Sequence, residues 1–496
     1  MLDLPILSLS ICLPLFSALY ITFFISQSTS PNKQVYVIYV AILSSVLTLI
    51  ATTYLLFSFD RHFAGPQFVE KYKWIEGIGL EYFLGVDGLS LFFIFLTALL
   101  TLICIVASLF TITKYIKEFL VCFLLLEAFC IGAFSALNLL LFYGFFEVIL
   151  IPMYLIIGVW GGENRVYAAV KFFLYTFLGS VFLLLALIYI YTQTATFNML
   201  ELNTLLPELP LNIQKILWLA TFASFAVKVP MPPFHTWLPD AHVQAPTAGS
   251  VMLAGVLLKL GGYAFLRISL PMLPGACEEF APYVLWISAF AVIYASLVAL
   301  AQTDMKKMIA YSSIAHMGFV TGGIFSFTEK GINGAVFQMI SHGLISSALF
   351  LIVGMLYDRH HTKEISKYGG VATSMPVLST MFMIAMLGSV GLPGLSGFVG
   401  EFMSIVGIYE INPLMGVICA FGVVLGAVYM LKLYKKVIFG QASDPDIIKF
   451  HDLYLYEKLA LVPLIILVIY IGVLPSSILG IIKLPMAAIA DLYGAL

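Results

Sequence analysis

Long apolar runs alternate with short polar connections along the whole chain. A bilayer crossing needs roughly 20 apolar residues. By that measure the sequence predicts about fourteen crossings, near 5–26, 36–57, 89–110, 117–136, 138–160, 167–191, 214–243, 247–269, 281–302, 305–326, 331–357, 374–411, 413–438 and 459–481. The runs are long and continuous, unlike the alternating strands of about 10 residues that build an outer-membrane barrel. The expected fold class is therefore an all-α polytopic membrane protein. No connection is long enough for a soluble domain; the longest are 58–88 and 439–458.

Two of the runs cannot be ordinary helices. The seventh contains KVPMPPFHTWLPDAH (228–242) and the twelfth MLGSVGLPGLSGFVGEF (386–402). Proline removes a backbone donor and clashes with the preceding turn, so both helices should break. Irregular backbone at membrane depth survives only when buried in protein or lining a wet cavity. The breaks lie five helices apart. Paired breaks suggest two five-helix repeats, helices 4–8 and 9–13, inverted relative to one another because five is odd. Polar residues repeat at a similar interval. Lys228 and Glu401 are 173 residues apart, as are Lys259 and Lys432, and Glu147 and His316 are 169 apart. The expected division is 1–116 for the first three helices, 117–270 and 281–438 for the repeats, and 439–496 for the last helix.

Composition sharpens this picture. Hydrophobic residues make up 61% of the 496 residues and charged residues only 10%. Soluble domains carry about 25% charge. With a net charge of −2, nothing suggests a nucleic-acid surface. The N-terminus lacks the basic region of a cleaved signal and reads as a retained first span. Connections on one side hold about 14 Lys and Arg, from Lys33 to Lys458, against about 7 on the other. The positive-inside rule then places both termini outside.

The chemistry lies in the rare ionisable groups inside the runs: Glu127, Glu147, Lys171, Lys228, Lys259, His316, His342 and Glu401. A charge near a helix centre costs about 2.5–3.5 kcal/mol on insertion scales. Glu147 and Lys228 read as partners in a pair that proton arrival could switch. A static buried salt bridge is the bland alternative. Lys259, in mid-helix GVLLKLGGYAFL, reads as a proton carrier, or else as a lysine snorkelling to an interface. His316 and His342 sit among serines and read as a relay, or as packing histidines. Glu401 follows the second break, as a last acceptor or a helix-start carboxylate. His235, Asp240 and His242 form a weak candidate for metal ligands. Glu127 and Lys171 read as auxiliary or interface residues. The six cysteines contain no CxxC. No Walker A, GxGxxG unit or haem motif is present, so this chain neither hydrolyses ATP nor carries electrons itself.

Several stretches carry a resemblance: FFEVILIPMYLIIGVWG, KVPMPPFHTWLPDAHVQAPTAGSVMLAGVLLKLGGYAFLR, DMKKMIAYSSIAHMGFV, ISHGLISSALFLIVGMLYDRHHTKEI and GLPGLSGFVGEF, with GVDGLSLFFIFLTALL at 85–100. With these the chain resembles the antiporter-like membrane subunits of respiratory complex I over nearly its whole length. The resemblance implies fourteen helices in two inverted repeats. It implies that Glu147 and Lys228 match the family's essential glutamate and its lysine partner, that Lys259 matches the central lysine and that Glu401 matches the distal residue. It places His316 and His342 at polar positions of the same axis. A glutamate at the distal position separates one branch from the siblings L and N, which carry lysine there. The implied activity is proton translocation coupled to quinone reduction within an NADH:quinone oxidoreductase. NADH, FMN, iron–sulfur clusters and quinone would belong to partner subunits, with none bound here. L- and N-type chains would be neighbours in a bacterial inner membrane, or in the mitochondrial one. A multi-subunit Na⁺/H⁺ antiporter is the alternative setting, and a static membrane scaffold a third.

Overall fold

The computed structural model describes residues 5–25, 31–75, 77, 79–441 and 444–494. The opening residues 1–4 and the Lys33 side chain, both used above, lie outside the described residues. Among the described residues, eleven helices are long and apolar enough to cross a membrane. They are α1 (Ile6–Phe24), α2 (Pro31–Ser58), α3 (Leu91–Ser108), α4 (Ile116–Ser135), α5 (Leu139–Trp160), α6 (Arg165–Thr194), α8 (Thr247–Met272), α9 (Pro274–Leu300), α11 (Glu329–His360), α13 (Pro413–Ile438) and α14 (Leu455–Val473). The other three predicted crossings complete the series. They are α10 (Met305–Ile324) and two broken helices, α7a/α7b (Leu211–Lys228, Trp237–Gln244) and α12a/α12b (Pro376–Val390, Ser396–Ile411).

Local chemistry sets the boundaries. Asn138, Asp304, Thr328 and Asn412 cap α5, α10, α11 and α13 by accepting backbone N–H bonds at 2.9–3.2 Å. Pro274, Pro376 and Pro413 occupy first-turn positions, where the missing N–H costs nothing. α6 packs along α7a, and α11 packs along α12b.

Burial grades the helices. The most apolar stretch of α11 is wholly buried and that of α8 nearly so, whereas α1 and α2 are mostly open to their surroundings. α10 is buried along almost its whole length. The three central helices α8, α10 and α11 are those that carry Lys259, His316 and His342.

Three features depart from the sequence reading. The connection 58–88 holds an antiparallel hairpin, β1 (Gln67–Ile75) and β2 (Leu80–Val86), in the register Lys71↔Phe83 and Tyr72↔Tyr82. Glu70 of this hairpin caps the start of α1, accepting from Leu7 N at 2.8 Å and from the Ser8 backbone and hydroxyl. Asp87, just after β2, holds Arg267 of α8 at 2.6 Å. The second departure is a further helix, α15 (Ser476–Asp491), which lays Ile478, Ile482 and Met486 against the bundle. The third lies within α8, where Leu253–Leu257 and Phe265–Ser269 are wound as π-helix on either side of Lys259.

Candidate proton pathway

Each break has its own construction. In α7, Pro230, Pro232 and Pro233 supply no N–H. Met231 N reaches back to Ala226 O at 2.8 Å, and the Trp237 indole donates to Val227 O at 3.0 Å. The freed carbonyl therefore stays satisfied inside the bundle, as burial demands. Lys228 is the last residue of α7a, at the negative end of that half-helix. In α12, Gly391 at φ +82° closes α12a, receiving a role that only glycine fills without strain. α12b then begins at Ser396 and carries Glu401 in its second turn.

Glu147 sits on α5, one turn before proline 152, and is half-buried. One of its oxygens is buried without a partner, and so is the Lys228 ammonium. The two groups interact through space, but no ion pair or hydrogen bond joins them. This corrects the expected direct pairing. Lys228 Nζ instead lies 4.6 Å from the centre of the Phe146 ring. The residue just before Glu147 delivers that ring to the cation.

Lys259 is fully buried in mid-helix, which excludes snorkelling. Its Nζ donates to the Ala254 carbonyl and meets His342 Nδ1 at 2.7 Å. Ala254 lies in the first π segment, five residues back, where the wider turn displaces the carbonyl from its usual partner. If the lysine donates to Nδ1, the neutral His342 ring carries its own proton on Nε2. That nitrogen is buried with no partner.

The His342 and His316 rings are 5.5 Å apart, centre to centre. His316 Nδ1 lies 2.7 Å from Glu401 Oε1, and its Nε2 lies 3.2 Å from Ser389 Oγ. Gln338 donates to the same carboxylate oxygen at 3.0 Å. A cavity of about 10 Å³ lies between these groups, lined by Ser312, His316, Gln338, His342, Ser389 and Glu401. It is about the size of one water. The buried file thus runs Lys259, His342, His316, Glu401, with a water-sized cavity beside the one gap, between the two histidine rings.

The remaining candidates separate from this file. Lys171 pairs with Asp240 at 2.7 Å between the rings of Tyr167 and Tyr175. His235 packs edge-on to Tyr294, and His242 stacks on Phe350 at 4.5 Å. His235, Asp240 and His242 therefore do not converge. Among the described residues no cluster of three or more His, Cys, Asp or Glu is placed to hold a metal. Glu127 is buried between α4 and α2. Lys432, matched to Lys259 by the 173-residue interval, is exposed and bonds the Leu300 carbonyl at 3.2 Å. That coincidence of spacing does not extend to environment.

Sequence reasoning missed Gln338, Ser389 and Lys306. Gln338 stands four residues before His342, one turn along the same helix face, and that spacing was a usable signal. Lys306 was counted with the inner connections. It is buried in α10, donating to Ala245 O at 2.8 Å and lying 3.4 Å from Ser250 Oγ. Its position beside Lys307 in MKKM gave no sign of this.

The family described as NADH:quinone oxidoreductase/Mrp antiporter, TM, matches residues 136–426. A Rickettsia bellii protein named NADH-quinone oxidoreductase subunit M is 65% identical over 484 residues, covering 98% of each chain. A Marchantia polymorpha protein named NADH-ubiquinone oxidoreductase chain 4 is 48% identical over 451 residues, covering 90% of this chain and 91% of that one. A chain in the structure of respiratory complex I from Thermus thermophilus with bound NADH superposes with a TM-score of 0.89 at 29% identity, covering 99% of this chain and all of that one.

Proposed function

The chain belongs to the membrane family of NADH:quinone oxidoreductase and Mrp antiporter subunits, and from that premise we propose that it translocates protons in the membrane arm of a respiratory NADH:quinone oxidoreductase. Its place is that of subunit M, or of chain 4 in mitochondrial complexes. The observation that carries this reading is the buried file from Lys259 through His342 and His316 to Glu401, set among helices interrupted at membrane depth.

The roles follow from the donors and acceptors present. Lys259 and His342 share a short contact, so one proton can reside on either nitrogen. His342 Nε2 offers its N–H toward the cavity. His316 passes charge to Glu401 through Nδ1, while Ser389 serves the other ring nitrogen. Lys228 acts by charge. Its ammonium has no hydrogen-bond acceptor, so movement of Glu147 toward or away from it changes the potential felt by Lys259. Protons would enter from the inner side and leave outside near Glu401. Redox chemistry at NADH, FMN, iron–sulfur clusters and quinone would take place in partner subunits, with L- and N-type chains as neighbours in the inner membrane.

The family also includes Mrp-type Na⁺/H⁺ antiporter subunits. Full-length identity of 65% to a protein named subunit M favours the oxidoreductase. Co-purification with redox subunits supports this setting, and co-purification with small antiporter subunits overturns it. The functional test is Glu147→Ala and Lys228→Ala in the assembled complex. Pumping coupled to quinone reduction should be lost while the subunits remain associated. An assembled Glu147→Ala complex with normal pumping would refute the assigned role.

A further inference from the structure

Glu127 takes no part in the file above, yet it is as deeply buried as any residue in it. It projects from α4 against α2, where Ser45 Oγ donates to its Oε2 at 3.1 Å. Its other oxygen, Oε1, is buried and has no partner. Among the described residues no ion pair reaches either oxygen. Ser44 Oγ, next to Ser45, is also buried and unpartnered. It heads a buried stripe of hydroxyls along α2, Ser44, Thr48 and Thr52, repeating every four residues and so sharing one helix face.

A carboxylate here would be a buried charge with one hydroxyl donor and no counter-ion. Such a charge is far more costly than a neutral carboxyl, which needs only one donor and one acceptor. The bond from Ser45 marks Oε2 as the carbonyl-like oxygen, leaving Oε1 to bear the hydrogen. The geometry points to Glu127 as a proton-holding carboxyl of this chain, separate from the Lys259–Glu401 file.

Infrared spectroscopy of the assembled, membrane-reconstituted complex tests this, because it reads the carboxyl itself and not pumping. Glu127→Gln keeps an acceptor for Ser45 and should remove one protonated-carboxyl C=O band. Ser45→Ala should shift that same band while leaving Glu127 in place, which covers the case of poor assembly by the first variant. A protonated-carboxyl region unchanged by both Glu127→Gln and Ser45→Ala overturns the assignment. This result does not depend on whether Lys259–Glu401 pumps protons, so the pathway can fail independently.

Discussion

The two broken helices solve one problem in opposite ways. The α7 break is built from proline and ends a half-helix on a cation; the α12 break is built from glycine and begins a half-helix that carries an anion. Each charge suits its end of the half-helix dipole, Lys228 at the C-terminal end of α7a and Glu401 near the N-terminal end of α12b. The grip on the two charges differs sharply. Glu401 has His316 and Gln338 on one oxygen, and bonds to a charged group contribute about 1.5–3 kcal/mol each. Lys228 has no hydrogen-bond acceptor and rests on the face of Phe146, a contact worth about 2 kcal/mol when desolvated. The first half of the chain therefore holds its charge loosely enough to respond, and the second half holds its charge in a closed network.

The comparison can be broken in the middle, where Lys259 joins the halves. Lys259→Met removes both the donor to Ala254 O and the contact with His342. Proton pumping by the reconstituted complex should fall by at least about 100-fold, the usual weight of one positioned proton-transfer group. A smaller effect is expected at the clamped end. Gly391→Ala places a side chain in left-handed backbone and brings its Cβ to 3.2 Å from Glu401 Oε2. The backbone strain alone costs about 1–2 kcal/mol, and thermal inactivation of the complex should come earlier together with slower pumping. The smallest effect is expected at the responsive end. Trp237→Phe strips the donor from Val227 O, a loss of about 1 kcal/mol. Thermal stability should fall slightly, and pumping should be altered because the end of α7a that carries Lys228 is loosened. An unchanged turnover in both break variants would mean that the breaks are packing features only.

Much of this architecture was legible in the chain. Runs of apolar residues marked fourteen crossings, since the bilayer imposes length and burial together. Prolines 230, 232 and 233 and glycines 391 and 394 marked the breaks, because their backbone limits are intrinsic. The scarcity of charge singled out Lys259, His316, His342 and Glu401 before any packing was known. What stayed hidden depends on partners distant in sequence. The hairpin 67–86 has short strands whose polar alternation matches a connection as well as a strand. The π segment Leu253–Leu257 packs against α11, and GVLLKLGG by itself carries no signal for that winding. The gap between Lys228 and Glu147 is a side-chain matter; sequence gave the two residues and not the Phe146 ring beside the cation. Lys306 read as a loop charge because its burial comes from the end of α7b.

The central claim is that the file is continuous across the 5.5 Å between the His342 and His316 rings. The direct test is the number of protons pumped per NADH oxidised by the assembled complex in liposomes, with His342→Phe in this chain alone. The ring volume stays, and only the two nitrogens are removed. The expected result is a lower proton-to-electron ratio with the subunits still associated. A ratio equal to that of the unmodified complex would contradict the pathway.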